Sequence, residues 1–552
     1  MLSGPWLAGR DAGPGGGRCD AVGNVRSVWE ALATQAAMYP ERPFVECGGV
    51  QLSFADLASR AEAVAGGLAS AGAEGGSRIA VIATNRIEYL ELMFACARLG
   101  CVLVPINIYL KGEFLRHQLA DSQPRFVVAD DAGCGAVAQV LDDLPVVPQV
   151  IALDGASSPL PASLVTAYSE LKGNAAPLPP APVGPASLFS IMYTSGTTGW
   201  SKGCMLPHGY YVHVADVLRE AWEIDALDHL YTALPLFHLA AQAMVLMVAL
   251  RQGAYLVLEP TFSASDLSRR WTESAATVFL GTGAMGIAAL AAPESEFDRA
   301  HRVRLAILIP FSPNDQGRFR ERFGVSVYAE LYGQTECVPI SFSRVSGQRN
   351  PLSAGRPAPY LEVAVVDDDD RPVAVGEVGE IVVRPRSPHV MFQGYWRRAE
   401  ETLHAWSNLW HHTGDYGRFD AEGYLYFVDR KKDAIRRRGE NVSSLELEAA
   451  IVRHPKIREV AVHAVPSEMT EDEIKACIVL VPGEEATPEE LFQFFKQALP
   501  YYAIPRYVEI VPELPKNALG RVMKHLLRDR GVTSATWDFQ AMGLVVEKGE
   551  RR

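Results

Sequence analysis

Tyr193–Gly203 reads YTSGTTGWSKG. Hydroxyls and glycines follow one another without a break from Thr194 to Gly199, and Lys202 closes the run. Residues this small let backbone N–H groups approach phosphate oxygens. The hydroxyls of Thr194, Ser195, Thr197 and Thr198 add donors, Gly196 and Gly199 leave space, and Lys202 brings charge. The pattern is not a Walker A loop, which carries its lysine directly after the second glycine. Here Trp200 and Ser201 intervene between Gly199 and Lys202. A flexible Ser/Thr/Gly surface loop shares this composition, so the surroundings must separate the two readings.

Upstream, Ser187–Tyr193 (SLFSIMY) reads as a strand that ends in the loop. Further back, helical and strand patterns alternate. Ser53–Ala71 has helical periodicity, with Phe54, Leu57, Ala61, Val64 and Leu68 on one face and Asp56, Ser59 and Glu62 off it. Ser77–Ala83 follows as a buried strand, Glu88–Leu99 as a helix and Cys101–Ile106 as a strand. Such alternation predicts a parallel sheet with helices on its faces. It continues through Tyr255–Leu258, Thr277–Leu280 and Leu305–Ile309, with Ala240–Leu250 a buried helix too short to span a membrane. Between Glu362 and Arg384 the pattern shortens to alternating strands with Gly/Asp turns, a β-rich subdomain. Asp429–Arg438 (DRKKDAIRRR) is a dense charge run, the composition of a solvated face or linker. Beyond it lies an α+β unit of ordinary small-domain size.

The expected fold class is therefore α/β. A large N-terminal domain of doubly wound sheets with a β-rich subdomain (23–428) precedes a hinge (429–433) and a small mobile α+β C-terminal domain (434–530). A flexible arm (1–22) and a tail (531–552) flank them. The 552 residues carry a net charge of −13, which argues against nucleic acid as a partner, because phosphate contacts need a clustered basic face. Eight cysteines show no CxxC spacing, so they read as buried hydrophobes in a reducing compartment. Met1–Cys19 has no apolar signal region and no run is long enough to cross a membrane. A cytoplasmic protein is expected.

More motifs follow in order. In Tyr332–Glu336 (YGQTE) the tyrosine, followed by Gly333 and Gln334, can lie flat on a base. Thr335 can bond a phosphate oxygen, and Glu336 is a hard oxygen ligand suited to Mg²⁺. Thr413–Asp415 (TGD) reads as a turn whose Asp415 can accept from both ribose hydroxyls. Together these motifs resemble those of the acyl-adenylate-forming superfamily: acyl-CoA synthetases, peptide-synthetase adenylation domains and firefly luciferase. The resemblance covers roughly Val28 to Arg528. It implies that Arg430 is a second ribose or phosphate contact and that Lys432 is the hinge residue. It implies a substrate-carboxylate segment at Leu234–Gln242 (LPLFHLAAQ), with Phe237 and His238 beside the acid. Arg438–Glu448 resembles the loop of the thioester step, with Gly439 allowing close approach of the pantetheine arm. The stretch Gly531–Gly543 looks like tails of the crotonobetaine/carnitine–CoA ligase-like branch.

Two departures stand out. Leu514–Arg521 (LPKNALGR) places Arg521 where the family has a lysine that bridges carboxylate and α-phosphate. Charge is kept and geometry is not, since a guanidinium is a planar fork and an ammonium a point charge. Arg521 serves with altered geometry, or Lys524 reaches in, or adenylation depends on a partner. Second, Ile309–Asn314 (IPFSPN) replaces a glycine-rich turn, so Pro310, Phe311 and Ser312 should reshape the pocket wall. Trp200 is bulky for a loop tip and reads as an anchor.

The implied reaction joins a carboxylic acid to ATP, with Mg²⁺, and then to coenzyme A. Lys202, Thr335, Glu336, Arg521 and His238 are the candidate catalytic residues, with Lys524 as the substitute. The expected acyl wall, including Gly281, Thr282, Gly283, Pro310, Phe311, Ser312 and Cys337, holds no carboxylate. A quaternary ammonium would want an acidic partner or an aromatic cage. Gly281, Gly283 and Ala284 leave room, so a large apolar acid is expected: aromatic, polycyclic or long-chain. A half-reaction specialist working with a carrier protein or companion ligase shares every motif, and a non-catalytic acyl-AMP-binding protein shares most. A luciferase-like oxygenase and an amino-acid substrate are disfavoured. A homodimer is the assembly expected.

Overall fold

The helix expected from Ser53 onward spans Phe54–Ser70. Ser53 caps it by accepting from the Asp56 N–H, and the Asp56 carboxylate accepts from the Ser53 N–H in return. The five residues expected on its inner face are all fully buried, whereas Asp56 and Ser59 are exposed. Each leucine or phenylalanine so buried contributes about 1.5–3 kcal/mol. The structure, a computed structural model, describes residues 25–155, 159–173, 178–179, 183–194, 200–430, 434–437, 440–467, 472–515, 522 and 524–547. The expected N-terminal arm lies outside them.

Two seven-stranded sheets build the large domain. The first runs Val165–Ala167, Gln149–Ala152, Phe126–Ala129, Arg78–Ile82, Val102–Pro105, Leu188–Thr194, Lys202–Pro207. The second runs Ser326–Tyr328, Leu305–Ile309, Val278–Thr282, His229–Thr232, Tyr255–Leu258, Pro43–Cys47, Val50–Ser53. Each is parallel except for one antiparallel pair at an edge. Strands such as Val102–Pro105 and Phe126–Ala129 are buried along their whole length, because helices cover both faces. The helices Val28–Met38, Phe54–Ser70, Ile87–Leu99 and His208–Ala221 share one hydrophobic core with side chains from both sheets.

Strands of such sheets deliver their loops at their carboxyl ends. Leu188–Thr194 leads into the Ser/Thr/Gly loop, His229–Thr232 into LPLFH, Val278–Thr282 into the glycines at 281–286, and Leu305–Ile309 into Pro310. The buried helix expected at Ala240–Leu250 begins as a π-helical stretch, Ala240–Leu246, and continues as Met247–Gln252. The β-rich subdomain is a four-stranded antiparallel sheet: Leu361–Val366, Gly379–Pro385, His411–Phe419, Leu425–Arg430.

The charge run is divided between two strands, Leu425–Arg430 and Ala434–Arg437, with 431–433 outside the described residues. The stretch set apart as a tail is built into the C-terminal domain. Trp537–Asp538 pairs with Tyr507–Ile510 as the fourth strand of its sheet. Phe539 is buried against Phe492 and Phe495, and Arg506 pairs with Asp538 at 2.9 Å. Polar composition hid this, because two short strand residues and one phenylalanine make the attachment. Seven cysteines among the described residues are free and buried, as read. No helix among those residues is long and apolar enough to cross a membrane.

Candidate active site

The loop at 195–199 lies outside the described residues, so Ser195, Gly196, Thr197, Thr198 and Gly199 are known here by sequence alone. Its two ends are described. Thr194 pairs directly with Lys202 across the antiparallel hairpin neck. The helix Gly112–Ser122 grips both ends. Asp121 accepts from Tyr193 Oη at 2.7 Å on the entry side. On the exit side, Gln118 donates to Ser201 Oγ at 3.3 Å and His117 Nε2 lies 2.9 Å from the Ser201 carbonyl. Burial lowers the His117 pKa, so the ring is neutral and donates there as its Nε2–H tautomer. Trp200 stacks on His117 at 5.0 Å and meets Phe114 edge-on. It is an anchor, as its bulk suggested.

Lys202 and Glu336 meet at a residue the sequence did not single out. Tyr395 Oη donates to Glu336 Oε1 at 2.9 Å, and Lys202 Nζ lies 5.0 Å from the centre of the same ring. Glu336 is 9% exposed. The YGQTE turn is fixed from below: Tyr210 Oη donates to the Thr335 carbonyl and accepts from the Val338 N–H. Among the described residues no group of three or more His, Cys, Asp or Glu could hold a metal by itself. One buried carboxylate near the neck of the Ser/Thr/Gly loop fits Mg²⁺, which commonly takes one or two carboxylates with substrate phosphates.

TGD is not a turn. Thr413, Gly414 and Asp415 lie inside the strand His411–Phe419, with Gly414 in the left-handed region at φ +71°. Thr413 Oγ1 donates to the Ile381 carbonyl and the Gly414 N–H to Glu380. These bonds set Asp415, 3% exposed, beneath the YGQTE segment. There Asp415 Oδ2 accepts from Tyr332 Oη and Gln334 Nε2, each at 2.7 Å. The strand register places Arg430 opposite Asp415. Tyr332 is thus oriented through its hydroxyl, with Phe427 6.0 Å away.

The acyl wall differs from expectation. A Cβ on Gly283 would lie 1.7 Å from the Pro310 carbonyl oxygen, and one on Gly281 2.8 Å from Phe279. Backbone and ring pack against these glycines, so a side chain would not fit at either position. Phe311 is buried against Phe319 and Gly286, and Cys337 is fully buried in the main core. Ser312 and Thr282 cap helices by accepting from Asp315 N–H and Met285 N–H. Pro310 follows the strand Leu305–Ile309, and Phe237 and His238 lie in the connection between His229–Thr232 and the π-helical stretch Ala240–Leu246. His238 packs its ring on Phe237 at 4.7 Å, and Phe237 meets Tyr109 edge-on.

The C-terminal domain docks on the same region. Tyr109 packs on Tyr501 at 4.5 Å, and Arg453 pairs with Glu113 at 2.7 Å. The helix Ser444–Ile451 sends Glu446 to the loop exit, where its carboxyl accepts from the Ser201 N–H. Lys524 bonds Ser444 Oγ at 2.7 Å and Glu448 at 2.6 Å, so it is held within its own domain in this arrangement. Lys432, Gly439 and Arg521 lie outside the described residues.

Burial pushes the Glu446 carboxyl up to about 8, against the Ser201 hydrogen bond, which lowers it. A raised carboxyl pKa means the folded state holds a proton that the unfolded chain has released. Stability should therefore fall as pH rises from the usual carboxylate range towards about 8 and level off above. The slope is about 1.4 kcal/mol per pH unit. Melting curves of wild type and Glu446→Gln across this range should diverge at high pH, with the neutral amide flattening the profile. Parallel profiles would remove Glu446 as their cause.

A family model described as AMP-binding enzyme matches residues 32–396, and a second, AMP-binding enzyme C-terminal domain, matches 446–521. The crotonobetaine/carnitine–CoA ligase of Citrobacter koseri is 32% identical over 525 residues, covering 92% of this chain and 100% of that protein. The o-succinylbenzoate CoA synthetase of Bacillus subtilis, solved with a product analogue, superposes with a TM-score of 0.77 at 26% identity, over 92% and 99% of the two chains. The amide bond synthetase of Marinactinospora thermotolerans gives 0.79 at 24% identity, over 91% and 99%, a likeness of fold.

Proposed function

The chain belongs to the AMP-binding enzyme family, and we propose that it is an AMP-forming ligase that joins an apolar carboxylic acid to coenzyme A. The observation that carries this reading is the meeting of Lys202, at the neck of the Ser/Thr/Gly loop, with Glu336 on Tyr395, while Asp415 is bonded to Tyr332 and Gln334 of the same YGQTE segment. In the first step a carboxylate oxygen of the acid attacks the α-phosphorus of ATP, the bond to the bridging oxygen breaks and pyrophosphate leaves. In the second the CoA sulfur attacks the acyl carbon, the bond to AMP breaks and the thiol proton passes to solvent.

Charge gathers on phosphate oxygens in the first transition state, so this chain contributes position and electrostatics. Lys202 and the loop hydroxyls would bind the β- and γ-phosphates. Asp415 accepts from the ribose, with Tyr332 and Gln334 orienting it. Glu336 would hold Mg²⁺, which neutralises phosphate charge when bound. Arg521 would bridge carboxylate and α-phosphate, and Gly439 would line the approach of the thiol. Both require the C-terminal domain to pivot near Lys432. ATP and CoA as co-substrates place the reaction in the cytoplasm under this reading.

The Citrobacter relative is named for a quaternary ammonium acid. In this chain the segments expected beside the acid contain no carboxylate to meet such a charge. That lack of a carboxylate favours an apolar acid over a betaine, and the close packing at Gly281 and Gly283 lends no support to bulk. Carboxylate-dependent ATP–pyrophosphate exchange over aromatic, long-chain, polycyclic and small acids, with carnitine and crotonobetaine included, tests the class. Strong exchange confined to the betaines would overturn it. The substitution of Arg521 for lysine favours one second reading, a thioesterification specialist fed by a companion ligase. It would convert supplied acyl-AMP and show no exchange.

A further inference from the structure

Tyr395 belongs to a segment zipped onto the active-site hairpin. The N–H groups of Phe392, Gln393 and Trp396 donate to the carbonyls of Glu336, Met205 and Gly203, and the Met205 N–H donates to Gly394. Trp396 Nε1 bonds the Asp121 carbonyl, and the Tyr395 N–H bonds Thr402 Oγ1. Gly394 sits at φ +128°, and a Cβ there would meet Thr402 at 2.8 Å. The ring is thus placed by its backbone on every side. A phenol is protonated at neutral pH, so Tyr395 is the donor in its bond to the Glu336 carboxylate.

We propose that Tyr395 is a positioning residue that stands between Lys202 and Glu336 and keeps each turned toward the nucleotide. An ammonium and a carboxylate in a shielded site attract strongly and would close on each other. Tyr395 gives the carboxylate a neutral donor and the ammonium a π face, neither of which cancels charge. The two functions sit on different atoms and are separable. Removing the hydroxyl should loosen Glu336 alone, whereas removing the ring should loosen both. This proposal rests on the ligase reading above.

Calorimetric titration of ATP into the full chain, with and without Mg²⁺, tests it. Wild type should bind ATP more tightly with Mg²⁺. Tyr395→Phe should keep the metal-free affinity and lose about tenfold of the gain from Mg²⁺, the worth of one hydrogen bond to a charged group. Tyr395→Leu should weaken binding in both conditions. In Glu336→Gln the Phe substitution should have no further effect on the Mg²⁺ gain, because its partner is gone. Equal weakening with and without Mg²⁺ in Tyr395→Phe would mark a merely structural role and overturn the proposal. So would a full Mg²⁺ gain in Tyr395→Phe. If Tyr395→Phe fails to melt cooperatively, the comparison of Tyr395→His with Glu336→Gln decides, and additive effects overturn the proposal. Wild type that binds no nucleotide under any condition would instead remove the ligase reading itself.

Discussion

Arg521→Ala should lower carboxylate-dependent ATP–pyrophosphate exchange by about 10²–10³-fold, the usual cost of removing one group aimed at developing charge. Conversion of supplied acyl-AMP to a thioester should continue at the wild-type rate. The asymmetry follows from chemistry. Only the first step brings two anions, the carboxylate and the α-phosphate, to one point. The candidate to replace Arg521 is Lys524, and it is engaged with Glu448 and Ser444. Arg521→Lys restores the compact ammonium that the family uses at this place and should recover much of the exchange. Undiminished exchange in Arg521→Ala would show that no cation at this position takes part. Equal loss of both half-reactions would mean that Arg521 supports the domain and not the adenylation step.

Asp415→Ala should be nearly as severe, by a different route. The carboxylate is 3% exposed and satisfies Tyr332 and Gln334. Its removal takes one acceptor from two half-buried donors, at up to about 1–3 kcal/mol each, while Gln334 keeps its bond to the Thr413 carbonyl. Under the proposed function Asp415 is also the ribose acceptor, so ATP affinity should fall by about tenfold to a hundredfold, as expected for a lost hydrogen bond to a charged group. Denaturant unfolding and nucleotide calorimetry separate the two effects. Asp415→Asn, which keeps the shape, should recover stability more than affinity. Unchanged ATP binding by a folded Asp415→Ala would place the ribose elsewhere.

Periodicity located the inner face of Phe54–Ser70 residue by residue, because a helix buries by its own spacing. Motif order singled out Lys202, Glu336 and Asp415, because the expected chemistries need particular side chains. What escaped were relations across long separations. Tyr395 reaches Glu336 over 59 positions, and Asp121 reaches Tyr193 over 72. Nothing in MFQGYW or LADSQ announces either contact. At Gly281 and Gly283 an absent side chain signals space or close packing equally well, and the packing of Phe279 and the Pro310 carbonyl against them is a relation that only the fold displays. TGD read as a turn because Gly and Asp are turn residues, and Gly414 does take a left-handed φ, yet the flanking hydrogen bonds keep it within a strand.

Wild-type protein with ATP, Mg²⁺ and labelled pyrophosphate, presented with the acid panel and then with coenzyme A, gives the most direct answer. Exchange that depends on an apolar acid, followed by AMP release and thioester formation only when CoA is added, is the expected result. A chain that shows no exchange with any acid, and that leaves supplied acyl-AMP untouched by CoA, is not a ligase.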